Sequence, residues 1–219
     1  MDNHSNLSVI VQNILTANSD ILVLSANTSL LAGSGISGIT HKAAGPQLEA
    51  AAKPFAPLTP GQAIITPAFN LTAKYVIHTI CPRYMDGQRG ESEHLYNAYA
   101  SALAMHRQAS DAKSIAFVSM GTGVYKWPMA LAADIAVKAL LTSTFEETLM
   151  CVMDEKTRLI YQAALDRYLS AKFLQKIFRG LLTTQYIYPT ALRRRTFPLL
   201  SIWNLVRDFS FGTLYRLRT

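Results

Sequence analysis

The chain of 219 residues is short of cysteine, holding only Cys81 and Cys151. Each sits in apolar surroundings with no partner motif, which excludes a disulfide framework and reads as two buried free thiols. No window reaches the roughly 18 uninterrupted apolar residues that a membrane span requires. The opening residues, MDNHSNLSVI, lack the basic start and long apolar core of a secretion signal. A reducing, cytoplasmic setting is therefore expected. No His, Cys or carboxylate pair has metal-ligand spacing, so no metal and no cofactor are expected. Acid is nearly missing from one end. Residues 170–219 carry 9 Lys+Arg against Asp208 alone, whereas residues 1–169 carry 12 against 13 Asp+Glu. The net charge of +7 is thus a property of the tail.

Half of the residues are hydrophobic, enough for a real core. Residues 7–15 alternate loosely and read as a strand, and residues 20–25 form a continuous apolar strand covered on both faces. Ile36 to Lys53 reads as one alanine-rich helix stopped before Pro54. Gln62–Pro67 and Lys74–Cys81 read as strands, residues 86–93 as an exposed polar loop, and residues 93–107 as a helix. Lys113–Met120 is a further buried strand, and Pro128 marks the start of a helix over Met129–Leu141. Glu147–Met153 completes the strands, and Asp154 caps a helix running to Leu169. Such alternation predicts an α/β domain with a largely parallel sheet between helices.

Two strands end in glycine loops that lead into helices. The first is Gly33-Ser34-Gly35 and the second Gly121-Thr122-Gly123. Glycine lets the backbone approach an anion, and the unpaired N–H groups of a helix start point at it. Facing one crevice, the two loops suit the two phosphates of a diphosphate; the plainer alternative is a pair of tight connections.

The stretch SANTSLLAGSGISGITHKAAGPQL resembles the signature of the macrodomain family, usually NAAN, a glycine-rich loop, then GAIHRAAG. Thr66–Leu71 with Lys74–Thr79 looks like the family's central strand pair. Phe117–Tyr125 with Pro128 is similar to its second phosphate loop, usually STGVYG and a proline. The resemblance spans about residues 7–169. It implies a three-layer α/β/α fold with a mixed, mainly parallel central sheet and a cleft for ADP-ribose, free or on an ADP-ribosylated macromolecule. Members of the family either hydrolyse mono-ADP-ribosyl or O-acetyl-ADP-ribose linkages or only read the mark. Position by position, the resemblance places Gly33, Ser34, Gly35 and Ile36 on one side of the diphosphate and Gly121, Thr122, Gly123 and Val124 on the other. It gives Asn27, Ser37 and Tyr125 to the distal ribose, and Asn13, Ile14 and Met153 to adenine.

Three of these positions depart from the family pattern. Asn13 stands where an aspartate usually receives the adenine amino group, a loss of charge assistance of about 1 kcal/mol. Met153 replaces a stacking aromatic. Ser37 stands where the hydrolases of the MacroD type carry an aspartate that positions or activates water. A hydroxyl is no base near neutral pH, which leaves two readings open: a slow hydrolase, or a non-catalytic reader or adaptor. His41 and His78 read as satisfied structural histidines.

The tail lies outside the resemblance. Ser170–Leu182 puts Phe173, Leu174, Ile177, Phe178, Leu181 and Leu182 on one helical face, with Lys172, Lys176 and Arg179 elsewhere on the helix. Residues 183–189 are expected to break that basic amphipathic helix. Arg193-Arg194-Arg195 and an apolar segment over residues 199–209 follow. Packing on the domain or a protein partner, an anionic membrane surface, and nucleic acid are the partner classes this pattern leaves open.

Overall fold

The computed structural model describes residues 6–185, with side chains to residue 177. Six strands form one sheet in the order β1-β6-β5-β2-β4-β3. They are β1 (Leu7–Val11), β2 (Ile21–Ala26), β3 (Ala63–Pro67), β4 (Tyr75–Ile80), β5 (Ser114–Val118) and β6 (Glu147–Val152). Every pairing is parallel except β3 with β4. The stretch resembling a central strand pair is therefore an inner strand, β4, and an edge strand, β3. Pro67 ends that edge, where a missing N–H costs no ladder bond. The helices are α1 (Gly35–Ala44), α2 (Pro46–Ala52), α3 (Glu91–Ala104), α4 (Met129–Leu140) and α5 (Glu155–Gln185).

Both faces of the sheet are buried, as the continuous apolar strands require. On one face Leu22, Leu24, Val76, Ala116, Leu149 and Cys151 pack with Ala44 and Leu48 of the α1–α2 pair. On the other, Ile21, Val23, Ile77, Ile115 and Phe117 are fully buried, and the Tyr99 ring of α3 lies 5.7 Å from Phe117. Alanines of α4 (132, 133, 136 and 139) are fully buried too. Helices cover the two faces in a three-layer α/β/α arrangement.

Four expected boundaries differ. The first strand stops at Val11, because Asn13 caps a 3-10 turn over Ile14–Thr16 by accepting from Leu15 N at 3.0 Å. The single helix expected over residues 36–53 breaks at Gly45, whose φ of 88° places it in the left-handed region, and restarts at Pro46. The Asn70 amide fills the space a Cβ on Gly45 would need, at 2.9 Å. The third helix starts at Glu91 instead of 93. The last runs unbroken from Glu155 to Gln185, through the boundaries expected near 169 and 183; no glycine or proline stops it before Gly180, and no proline stops it within its length.

The chain divides into two compact units, at Asp166–Arg167. In the second, residues 171–177 are exposed helix. Arg193-Arg194-Arg195 and the apolar segment 199–209 lie outside the described residues.

Candidate functional site

Parallel strands β1, β6, β5 and β2 all end on one edge of the sheet. β2 leads to α1 on one face; its neighbour β5 leads to α4, which packs with α3 on the other. Connections departing to opposite faces open a crevice between adjacent strand ends, the usual ligand position in such sheets. A cleft of about 580 Å³ occupies that place. It gathers Asn13, Ile14, Asn27, Gly33, Ser34, Gly35, Ile36, Ser37, Gly121, Thr122, Gly123, Val124, Tyr125 and Met153, the residues that the resemblance assigns to a ligand. Ile14 belongs more to the core than to the cleft, being 2% exposed. Val124 and Met153 are 74% and 77% exposed, the most exposed large hydrophobic side chains among the described residues. Both offer apolar surface to a ligand.

The first loop is shaped by its own side chains. Asn27 Oδ1 accepts from Ser29 Oγ at 2.8 Å and Leu31 N at 3.2 Å, and its Nδ2 donates to Leu31 O at 2.8 Å. An amide has two acceptor sites and two N–H donors. Here one N–H of Asn27 is left over, so Asn27 offers a ligand a donor more readily than an acceptor. Glu49 of α2 pins the same loop by accepting from Ala32 N at 2.7 Å. Gly35 enters α1 at φ 64°, and Ser34 makes no side-chain cap bond, which leaves the first amides of the helix to an anion. The Gly33 carbonyl oxygen lies well inside contact distance of where a Cβ on Gly38 would stand, so no Cβ fits there.

The second loop is held from behind. Tyr161 hydroxyl and Ser119 Oγ lie 2.6 Å apart, Ser119 Oγ and Thr122 Oγ1 2.9 Å, and Tyr99 hydroxyl accepts from Met120 N at 3.0 Å. Burial pushes the Tyr161 phenol up to about 12 and raises that of Tyr99 well above its usual 10, so both remain neutral hydrogen-bonding groups. Trp127 N donates to Gly121 O at 3.1 Å, and Tyr84 N to Tyr125 O at the same distance. The segment carrying Tyr84 is organised by Glu91. That carboxylate is 4% exposed and accepts from the N–H groups of Met85, Asp86, Gly87 and Arg89. What the sequence suggested to be a plain polar loop is wrapped around a buried acid.

Beneath the first loop, Ser37, His41 and His78 are buried together. His41 Nδ1 bonds Ser37 O at 2.9 Å, His78 Nε2 bonds Thr66 Oγ1 at 3.1 Å, and the two rings are 5.9 Å apart. Each of the three keeps a buried polar atom without a hydrogen bond: Ser37 Oγ, His41 Nε2 and His78 Nδ1. The histidines are therefore only half satisfied, short of the expectation. Burial, with a smaller part from His41, pulls the His78 imidazole down from 6.5 to about 3.

Glu91 is held near 2 against an ordinary 4.5, by its own N–H and those of Arg89, Asp86 and Gly87 acting against burial. Both groups bind fewer protons folded than unfolded, so both make acid destabilising. Stability is expected to decline as pH falls below the ordinary 6.5 of histidine, and more steeply below 4.5. Melting temperatures across pH check this: His78→Leu should flatten the upper decline, and Glu91→Gln the lower one.

No lysine or arginine lines the cleft among the described residues; Asp154 is its one charged side chain. That aspartate is already engaged, accepting from Thr157 N at 2.7 Å and Thr157 Oγ1 at 3.0 Å. No three His, Cys, Asp or Glu side chains are grouped as metal ligands among the described residues. Cys81 and Cys151 are buried, their thiols pushed up to about 12 and 11. The supporting residues Ser119, Tyr161, Glu91 and Glu49 had no sequence signal beyond polar groups interrupting apolar or helical runs.

The geometry defines a three-layer α/β domain with a backbone-lined anion crevice at its switch point. The macro domain model matches residues 23–136, and the chain belongs to the macrodomain family. It is 41% identical over 169 residues to a Klebsiella pneumoniae protein named O-acetyl-ADP-ribose deacetylase, covering 73% of this chain and 96% of that one. The Oceanobacillus iheyensis macrodomain solved with ADP superposes with a TM-score of 0.70 at 32% identity, covering 78% of this chain and 97% of that one. A Trypanosoma brucei macrodomain in complex with ADP-ribose superposes at 0.66 with 25% identity, covering 73% and 69%.

Proposed function

We propose that the cleft binds ADP-ribose and that the protein hydrolyses its O-acetyl ester or mono-ADP-ribosyl conjugates. The reading is carried by two glycine loops meeting across one cleft at the ends of β2 and β5. In it, Gly33–Ile36 and Gly121–Val124 enclose the diphosphate with backbone N–H groups. Asn27 gives its spare N–H to the distal ribose, Tyr125 shelters that ribose, and Asn13, Ile14 and Met153 line the adenine end. The relative named for O-acetyl-ADP-ribose deacetylation and the neighbours holding ADP and ADP-ribose support this.

Hydrolysis of the ester adds water to the acetyl carbonyl and releases acetate and ADP-ribose. Hydrolysis of a conjugate delivers water to C1 of the distal ribose and releases the acceptor. With Ser37 in place of a carboxylate, the water's proton passes to a phosphate oxygen of the bound ligand, and rate comes from orientation. Residues 1–169 carry this activity in the proposal, and residues 170–219 are a separate basic extension. The buried, unpaired thiols fit a cytoplasmic setting.

Calorimetry with ADP-ribose tests the binding; absence of heat at high micromolar ligand refutes it. The second reading, a pure reader, rests on Ser37, whose Oγ is buried in the cleft wall without a hydrogen bond. Ser37→Asp should raise release of ADP-ribose or acetate by about 10² or more, the usual worth of a positioned base. No turnover by either protein, with binding intact, decides for the reader.

A further inference from the structure

Helix α5 begins within the domain that resembles its relatives and runs on past it, and its two ends are unlike. Earlier in α5, Tyr161, Ala164 and Leu165 are buried. From residue 171 to 177 every side chain is exposed. Phe173, Leu174 and Ile177 are 56%, 49% and 43% exposed, and their spacing sets them along one stripe. Lys172 and Lys176, also four apart, run along a different stripe. The Klebsiella relative is matched over nearly its full length by 73% of this chain, so about a quarter of the chain lies outside that likeness.

We propose that this end of α5 lies on an anionic phospholipid surface, with Phe173, Leu174 and Ile177 in the headgroup boundary and Lys172 and Lys176 toward the lipid phosphates. The choice of occupant follows from what each would use. A nucleic acid matches 9 basic residues against one acid over residues 170–219, and could stack on the Phe173 ring, but has no use for Leu174 and Ile177 beside it. A protein groove matches the stripe without calling for that charge. An anionic bilayer uses both, the charge drawing the helix in and the apolar stripe holding it there. No helix among the described residues is long and apolar enough to cross a membrane, and the proposal accordingly places α5 along the surface. This inference is independent of what the cleft binds.

Flotation of the full chain tests it, with phosphatidylcholine vesicles and with a phosphatidylcholine–phosphatidylserine mixture. Binding is expected to the mixture and not to phosphatidylcholine alone, and to weaken with added salt. The double variant Phe173→Glu/Ile177→Glu should bind on the order of a hundredfold more weakly, and Lys172→Glu/Lys176→Glu on the order of tenfold. Circular dichroism and ADP-ribose calorimetry should be unchanged in both, since all four side chains are exposed. No flotation on either vesicle, or equal flotation on both, overturns the proposal. So does a Phe173→Glu/Ile177→Glu variant that floats normally while losing self-association by light scattering, or RNA binding by the full chain with no vesicle binding.

Discussion

Replacing Gly38 with alanine is expected to lower ADP-ribose affinity about a hundredfold and to reduce the melting temperature. On helix propensity alone the change would stabilise, since alanine in a helix interior is better than glycine by about 1 kcal/mol. Space reverses the sign. The Gly33 carbonyl oxygen occupies the volume of the new methyl, and the Gly33 backbone cannot retreat without moving. Gly33 is itself confined from another side, where a Cβ would already stand 3.1 Å from Asn27 Nδ2. Overpacking of this kind costs about 1–3 kcal/mol or more. It falls on a loop that lines the cleft, so binding should suffer more than folding. Calorimetry and thermal melts on one preparation separate the two, and unchanged affinity would show that the loop is not set by this contact.

Gly121→Ala should be at least as damaging, for two reasons that add. Its φ is 77°, a region L side chains rarely adopt. A Cβ there would also overlap the Trp127 ring and come within 2.8 Å of Cys81 Sγ. Trp127 has no room to yield, being 3% exposed and tied to Pro82 O at 2.8 Å. A strained backbone costs about 1–3 kcal/mol and the overlap as much again. Loss of detectable ADP-ribose binding with a clearly lower melting temperature is the expected outcome. A variant that binds normally would remove the second loop from the site. Cys81→Ala in the Gly121→Ala background should recover part of the stability and little of the affinity, because the ring overlap remains.

The strands and both glycine loops could be read from the sequence because their signals are local. Ile21–Leu24 and Ile115–Val118 are apolar runs, and a loop such as Gly33-Ser34-Gly35 declares itself by composition. What escaped was decided by residues distant in sequence. The helix break at Gly45 answers to Asn70, and the need for glycine at position 38 answers to a carbonyl five residues back. Glu91 looked like a surface acid because nothing local says that four amides will turn toward it. Asn27 was legible as a candidate site residue from its resemblance, but its bonding within its own loop depends on Ser29 and Leu31 adopting that turn. The uninterrupted α5 was obscured by treating a change of charge as a change of structure.

The cleft holds no lysine or arginine among the described residues, although it is built for an anion. Without a cation, attraction for an anion rests on peptide dipoles at the starts of α1 and α4. Fixed dipoles reward a ligand whose charges sit at the right places and give little to charge as such. Inorganic phosphate, nucleic acids and acidic proteins, which crowd any cationic groove, are therefore expected to compete poorly for this one. A domain with almost no net charge can then find one modest diphosphate among abundant polyanions. The excess of cations lies in residues 170–219, with 9 Lys+Arg against one acid, and none of the chain's cations lines the cleft among the described residues.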